Sequence, residues 1–144
     1  MKNIKSDKGV TIVSLLTAVV IMSILATVST ALTIDYIDNI KLRKFNSELQ
    51  IITDRTKVIS KKIETGNDSY LELGKEITTD QQTFLNKLGF TNNASDFKLF
   101  NKSDLELIDI SGIEQSVYIN FFTGQVVSKD GINIDGTTYY MLEK

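Results

Sequence analysis

The chain has 144 residues, with 16 Lys and Arg against 18 Asp and Glu, and contains no cysteine, histidine or proline. Without Cys or His there is no disulfide framework, no thiol chemistry and none of the usual parts of a zinc site or a nucleophile–base pair. A net charge of −2 does not suggest a nucleic-acid surface either.

Residues 1–9 form a basic leader, holding Lys2, Lys5 and Lys8 against Asp7, which leaves 13 basic and 17 acidic side chains in residues 10–144. Residues 10–34, VTIVSLLTAVVIMSILATVSTALTI, carry no charge. As a helix they span about 37 Å, and a hydrocarbon core is about 30 Å thick, so a membrane-spanning helix is expected. The basic leader keeps the N-terminus cytoplasmic and sends the remainder outward. About 110 residues are then left for one small soluble domain. A secretory signal ends its apolar region after about 7–15 residues near small side chains. Here the run is longer, and no A-x-A pattern closes it near Ala26 or Ala31. Cleavage ahead of the run, at Lys8-Gly9-Val10-Thr11, would leave the helix on the mature chain. Within the run, Ser23, Ala26, Thr27 and Thr30 give one helix face small or hydroxyl-bearing side chains, which permits close helix approach in a bilayer. Their hydroxyls can equally be satisfied by backbone carbonyls of the same helix.

From residue 35 to 65 the pattern becomes amphipathic. Phe45, Leu49, Ile52, Ile59 and Ile63 fall on one stripe at helical spacing, the expected seat for a C-terminal domain. Lys41, Arg43, Lys44, Glu48, Arg55, Lys57, Lys61 and Lys62 fill the other faces. A basic face here could touch DNA or anionic lipid, but no aromatics interleave for base stacking, and a solvated face is the ordinary reading. Thr65-Gly66-Asn67-Asp68 supplies the stop, with Gly66 suited to the position after the cap.

Residues 66–96 read as a connection holding one short helix at 80–88, announced by Thr79-x-x-Gln82 as a capping box and closed by Gly89, with Phe84, Leu85 and Leu88 as anchors. Strands are expected at 97–100 and 105–110, and most clearly at 116–122, where Val117, Ile119 and Phe121 alternate with Tyr118 and Asn120. Thr123-Gly124 turns the chain into 125–129. Asp130-Gly131 and Asp135-Gly136 are further hairpin signals leading into 137–142, with Tyr139 and Tyr140 on opposite faces. The expected fold class is α+β: a long N-terminal helix packed on an antiparallel meander of three to five strands in residues 97–144.

Few sites suggest chemistry. The stretch 130–136 invites a calcium reading, but counting back from Gly136 the first EF-hand ligand position falls on Gly131, and Leu142 stands where the bidentate Glu belongs. No metal or cofactor is therefore expected. Nor is an enzyme, since no phosphate-binding glycine loop or dinucleotide fingerprint occurs.

Lys8-Gly9 followed by Val10-Thr11-Ile12-Val13-Ser14-Leu15-Leu16-Thr17-Ala18-Val19-Val20-Ile21 resembles the class III leader and N-terminal helix of type IV pilins and type II secretion pseudopilins. The phrase Val117-Tyr118-Ile119-Asn120-Phe121 with Thr123-Gly124-Gln125-Val126-Val127 also resembles the C-terminal strands of pilin-like proteins from low-GC Gram-positive bacteria. The resemblance implies a leader, 1–9, removed by prepilin peptidase after Gly9, with N-methylation of Val10. Residues 10–34 would then be the half of the helix that serves first as membrane span and later as filament core, 35–65 its amphipathic half, 66–96 a variable connection and 97–144 the sheet. Partners implied are other pilin subunits, the prepilin peptidase, a membrane platform protein, an assembly ATPase and membrane lipid. The chain would sit in the cytoplasmic membrane with its C-terminus outside, and then in a surface filament of a pilus, secretion or competence system.

The sequence departs from the family at the position filled by Ser14, which is usually glutamate. The resemblance implies that this carboxylate neutralises the N-terminal amine of a neighbouring subunit in a low-dielectric core, where an unpaired charge costs several kcal/mol. A subunit repeated thousands of times would bear this cost at every contact, so Ser14 favours a minor or tip subunit. Ala31 stands where many major pilins have a helix-distorting proline, and Ser23 where a glycine is frequent, so a continuous helix is expected. An uncleaved single-pass membrane protein with an extracytoplasmic binding module is the alternative.

Overall fold

The computed structural model describes residues 4–142, except for the side chains of residues 4–8, 10 and 28–32. The chain divides into two compact units, Met1–Lys41 and Leu42–Lys144. The boundary falls a few residues beyond the change from uncharged to amphipathic sequence at 34/35.

Throughout its described residues the first unit is helical, being the N-terminal part of α1, Ile4–Glu64. The sequence offers no proline, and its only glycine before residue 66 is Gly9, so nothing in it breaks the backbone ladder. Large apolar side chains from Ile12 to Leu25 are between 51% and 70% exposed, pointing outward all round the helix. Hydroxyl groups among them turn back on their own backbone: Thr17 Oγ1 donates to the Val13 carbonyl at 2.8 Å, Ser23 Oγ to Val19 at 2.8 Å and Thr27 Oγ1 to Ile24 at 2.8 Å. Among the described residues no helix is long and apolar enough to cross a membrane. The expected span 10–34 includes Val10 and residues 28–32, whose side chains lie outside the described ones.

In the second unit, α1 ends as its sequence dictates. Gly66 adopts φ +96°, its N–H donates to the Ile63 carbonyl at 2.9 Å, and Asn67 N–H donates to Lys62 at 3.0 Å, closing a Schellman cap. Lys61 and Lys62 in the last turn complement the negative end of the helix dipole. A 3₁₀ turn, Asp68–Glu72, leads into β1 (Lys75–Glu76) and then α2 (Thr79–Lys87). The capping box of α2 lies one residue earlier than expected. Thr78 accepts from Gln81 N–H, and Gln81 Oε1 accepts from Thr78 N–H. Two adjacent threonines followed by two glutamines satisfy the motif in either register, and the observed one ends at the Gly89 cap, where Phe90 N–H donates to Leu85 at 3.1 Å.

After a second 3₁₀ turn, Ala94–Asp96, come β2 (Lys98–Phe100), α3 (Lys102–Glu106), β3 (Val117–Asn120) and β4 (Gln125–Ser128). The expected strand at 105–110 is corrected: it begins inside α3. Asn101 caps α3, accepting from Asp104 N–H at 3.1 Å while the Asp104 carboxylate accepts from Asn101 N–H at 3.0 Å. Leu105 and Ile108 are buried three residues apart and Leu107 is exposed, a helical spacing rather than a period of two.

The main sheet is antiparallel, with order β1-β2-β3-β4. Phe100 pairs with Val117 and Asn120 with Gln125. Its first strand comes from the connection, so the sheet is not confined to 97–144. A separate hairpin of β5 (Ile132–Ile134) and β6 (Thr137–Tyr139) turns at Asp135-Gly136, where φ is +49° and +81°, as a two-residue hairpin turn requires. The Tyr140 carbonyl accepts from Ser128 N–H at 2.7 Å, tying the end of this hairpin to β4.

Each face of the main sheet is covered. Phe45, Leu49, Ile52 and Ile59 of α1 form one core cluster with Phe100, Val117, Ile119, Phe121 and Val126, and Ile63 packs on its margin. Leu85, Ala94, Phe97, Tyr118 and Val127 form a second, edged by Phe84, Leu88 and Tyr140. All four residues of β3 are buried, because α2 and the following loop cover the face opposite α1. Burial of each large aliphatic side chain contributes about 1.5–3 kcal/mol.

Candidate functional site

Among the described residues, the features that can meet other molecules are the exposed apolar surface of α1 and one open cleft beside β6. In the first unit, Gly9, Thr11, Ser14, Ser23, Ala26 and Thr27 are all exposed on the helix. The side chains of Lys8, Val10 and Thr30, and that of Ala31, lie outside the described residues. The Ser23 and Thr27 hydroxyls are spent on backbone carbonyls, so these two can enter an apolar environment with their donors satisfied.

The second unit uses Arg55 of α1 to hold the end of α3. Its Nε donates to the Ile108 carbonyl at 2.8 Å and its Nη2 to the Asp109 carboxylate. Asp109 takes φ +63° at a Schellman position, where Ile110 N–H donates to Leu105 at 3.0 Å and Asp109 N–H to Glu106 at 3.1 Å. Sequence reading placed Arg55 among solvated charges. The Asn101-x-x-Asp104 capping box, built from the shorter pair of side chains, signals α3 itself but not its contact with Arg55.

A polar chain also links α1 to the sheet. Gln115 Nε2 donates to Glu48 at 2.7 Å, Ser128 Oγ donates to Gln115 Oε1 at 3.0 Å, and Ser128 Oγ accepts from Gly131 N–H at 3.1 Å. Every member has a partner, so the chain reads as structural. The stretch 130–136 is hairpin: Asn133 Oδ1 accepts from Gly136 N–H at 3.3 Å and its Nδ2 donates to Thr138 at 3.1 Å. No group of three or more carboxylates is placed to hold a metal among the described residues.

A cleft of about 270 Å³ is lined by Leu88, Thr138, Tyr139, Tyr140, Met141 and Leu142. It falls just below the usual size of small-molecule sites and has no charged group on its wall. Nearby, burial raises the Tyr118 phenol above its ordinary value of 10.0, the Asp130 charge adds to this, and a hydrogen bond with Gln81 opposes it. Lys102 is also raised, by its hydrogen bond to Glu114 and then by the charge of that carboxylate. Neither group faces a site where a proton would do chemical work.

Comparison of the chain with protein-family models, with curated proteins and with solved structures gives no match.

Proposed function

We propose that this protein is a minor subunit of a type IV pilus-like or pseudopilus filament, with a tip or initiating position favoured by Ser14. The observation that carries the reading is the surface of α1 from Ile12 to Leu25, where ten large apolar side chains are more than half exposed. Water is a poor solvent for such a surface. A bilayer first, and the helices of neighbouring subunits afterwards, would cover it. The amphipathic continuation of α1 carries a small α+β unit, the part that would face outward.

On this reading prepilin peptidase cuts after Gly9, Val10 becomes the methylated N-terminus, and a platform protein with an assembly ATPase lifts the helix out of the membrane. The chain itself is not an enzyme and holds no cofactor. Pilus, secretion and competence machines all accommodate this role, and DNA contact is not required by it.

Replacing Ser14 with Glu tests the minor position. The count of this chain in sheared filaments from its own cells should stay low or fall, because a tip subunit has no neighbouring amine to neutralise. Polymerisation into an abundant filament of the variant would contradict the placement.

A further inference from the structure

Between residues 42 and 64 the side of α1 turned away from the core is not a uniformly polar, solvated face. Ile51 is 54% exposed and Val58, one heptad later, 46% exposed. Asp54 stands between them and Ser47 one turn before Ile51, at 3–4 spacing; Lys44 and Lys61 continue the same line at its two ends, and Arg43 and Lys57 flank it, all exposed. Among the described residues Arg43, Lys57 and Lys61 have no carboxylate in ion-pair reach, and Lys44 reaches only Glu48, at 3.8 Å. Composition does not explain this basic rim. Residues 42–64 hold six basic and three acidic side chains, whereas residues 65–144 hold six basic and twelve acidic.

We infer that this face docks an α-helix of a different subunit, one whose apolar stripe is rimmed by carboxylates. Ile51 and Val58 supply the knobs, spaced as in a two-helix seam, and the four cations fix the partner's register and charge. Two copies of this face aligned in parallel would oppose Lys44 to Lys44, Asp54 to Asp54 and Lys61 to Lys61, so self-pairing in register is disfavoured. A phosphate polymer would use the cations but leave Ile51 and Val58 facing water. The inference rests on the filament reading above, and it names the neighbour which that reading leaves open.

The test uses the full chain in its own cells, with a photo-cross-linking residue at Ser47 or at Asp54. The product is identified by peptide mass spectrometry, and the N-terminal mass of this chain is read from the same sample. The expected result is a cross-link to a helical segment of another subunit with Asp or Glu flanking its apolar positions. Lys57→Glu with Lys61→Glu, and separately Ile51→Asp, should each reduce its yield about tenfold without changing the melting temperature. All three positions are solvent-exposed, so folding is preserved. Cross-links to a second copy of this chain, to nucleic acid or to lipid, or yields unchanged by both variants, would overturn the inference. So would the absence of any product. A processed N-terminus at Val10 accompanied by one of these results removes the docking face and leaves the filament reading intact. An N-terminus at Met1 removes the filament reading itself.

Discussion

Arg55 and Asp109, 54 residues apart, are joined so that one guanidinium holds both a backbone carbonyl, that of Ile108, and the carboxylate of a residue with positive φ. This contact fixes the exit of α3 against α1 and sets where the chain turns towards β3. Its carboxylate end is exposed and screened, so most of its worth lies in the hydrogen bond to Ile108. Arg55→Ala should destabilise the second unit by about 1–2 kcal/mol. Asp109→Ala loses the ion pair and keeps the left-handed backbone, a further cost of about 1–2 kcal/mol, whereas Asp109→Gly relieves the backbone and should be nearly neutral. Urea unfolding of the full chain in detergent, followed by tyrosine fluorescence, checks the order. Equal losses for the Ala and Gly variants would show that backbone strain is not involved.

Gly74 has φ +81°, and a Cβ there would stand 2.5 Å from Cε2 of the Phe100 ring. That ring is fully buried and packs edge-on against Phe121 with centroids 5.5 Å apart, so it cannot move aside. Gly74→Ala should therefore cost about 2–4 kcal/mol, combining left-handed strain with overpacking. The same urea titration measures it, and a loss below about 1 kcal/mol would mean that Phe100 yields.

Thr56 lies fully buried on the core side of α1, and its hydroxyl has no hydrogen-bond partner. Removing an unsatisfied buried hydroxyl while keeping the branched shape should stabilise. Thr56→Val is expected to raise stability by about 1 kcal/mol, and a decrease would reveal a partner for the hydroxyl.

The raised phenol of Tyr118 gives a pH dependence with a defined sign. Because the folded state holds the proton more tightly than the unfolded chain, the contribution is complete below the ordinary value of 10.0. It is lost as pH rises from there through the folded value. Tyr118→Phe should flatten the fall in stability above about pH 10 relative to the parent chain. Parallel curves for the two proteins between about pH 9 and 11 would exclude a role for this group.

Part of this architecture was legible in the residues alone, for reasons that can be named. Phe45, Leu49, Ile52 and Ile59 recur with helical period over a stretch without breakers, and they meet Val117, Ile119 and Phe121 in one cluster. Gly66 and Gly89 marked the two helix ends by the backbone angle that only glycine adopts cheaply. The segment 105–110 was misread because Leu-Glu-Leu-Ile-Asp-Ile imitates alternation, while the Asn101–Asp104 box and the burial of Leu105 and Ile108 decide for a helical turn. The second core cluster was legible only in part, through Phe84, Leu85 and Leu88 as anchors of the short helix, and its other half was hidden for a different reason. Tyr118 and Val127 look like outer-face residues until α2 is placed over them, which depends on tertiary packing. Arg55 belongs to the same category, since a charge in an amphipathic helix does not disclose its partner 54 residues away.

The central claim is that α1 is a transferable helix, freed of its basic leader before it enters a filament. Intact-mass and N-terminal peptide measurement of the protein, purified from cells with active prepilin peptidase, tests it most directly. The predicted result is a chain beginning at Val10 and carrying one methyl group on its amine. A chain beginning at Met1, with Lys8 and Gly9 still attached, would contradict it.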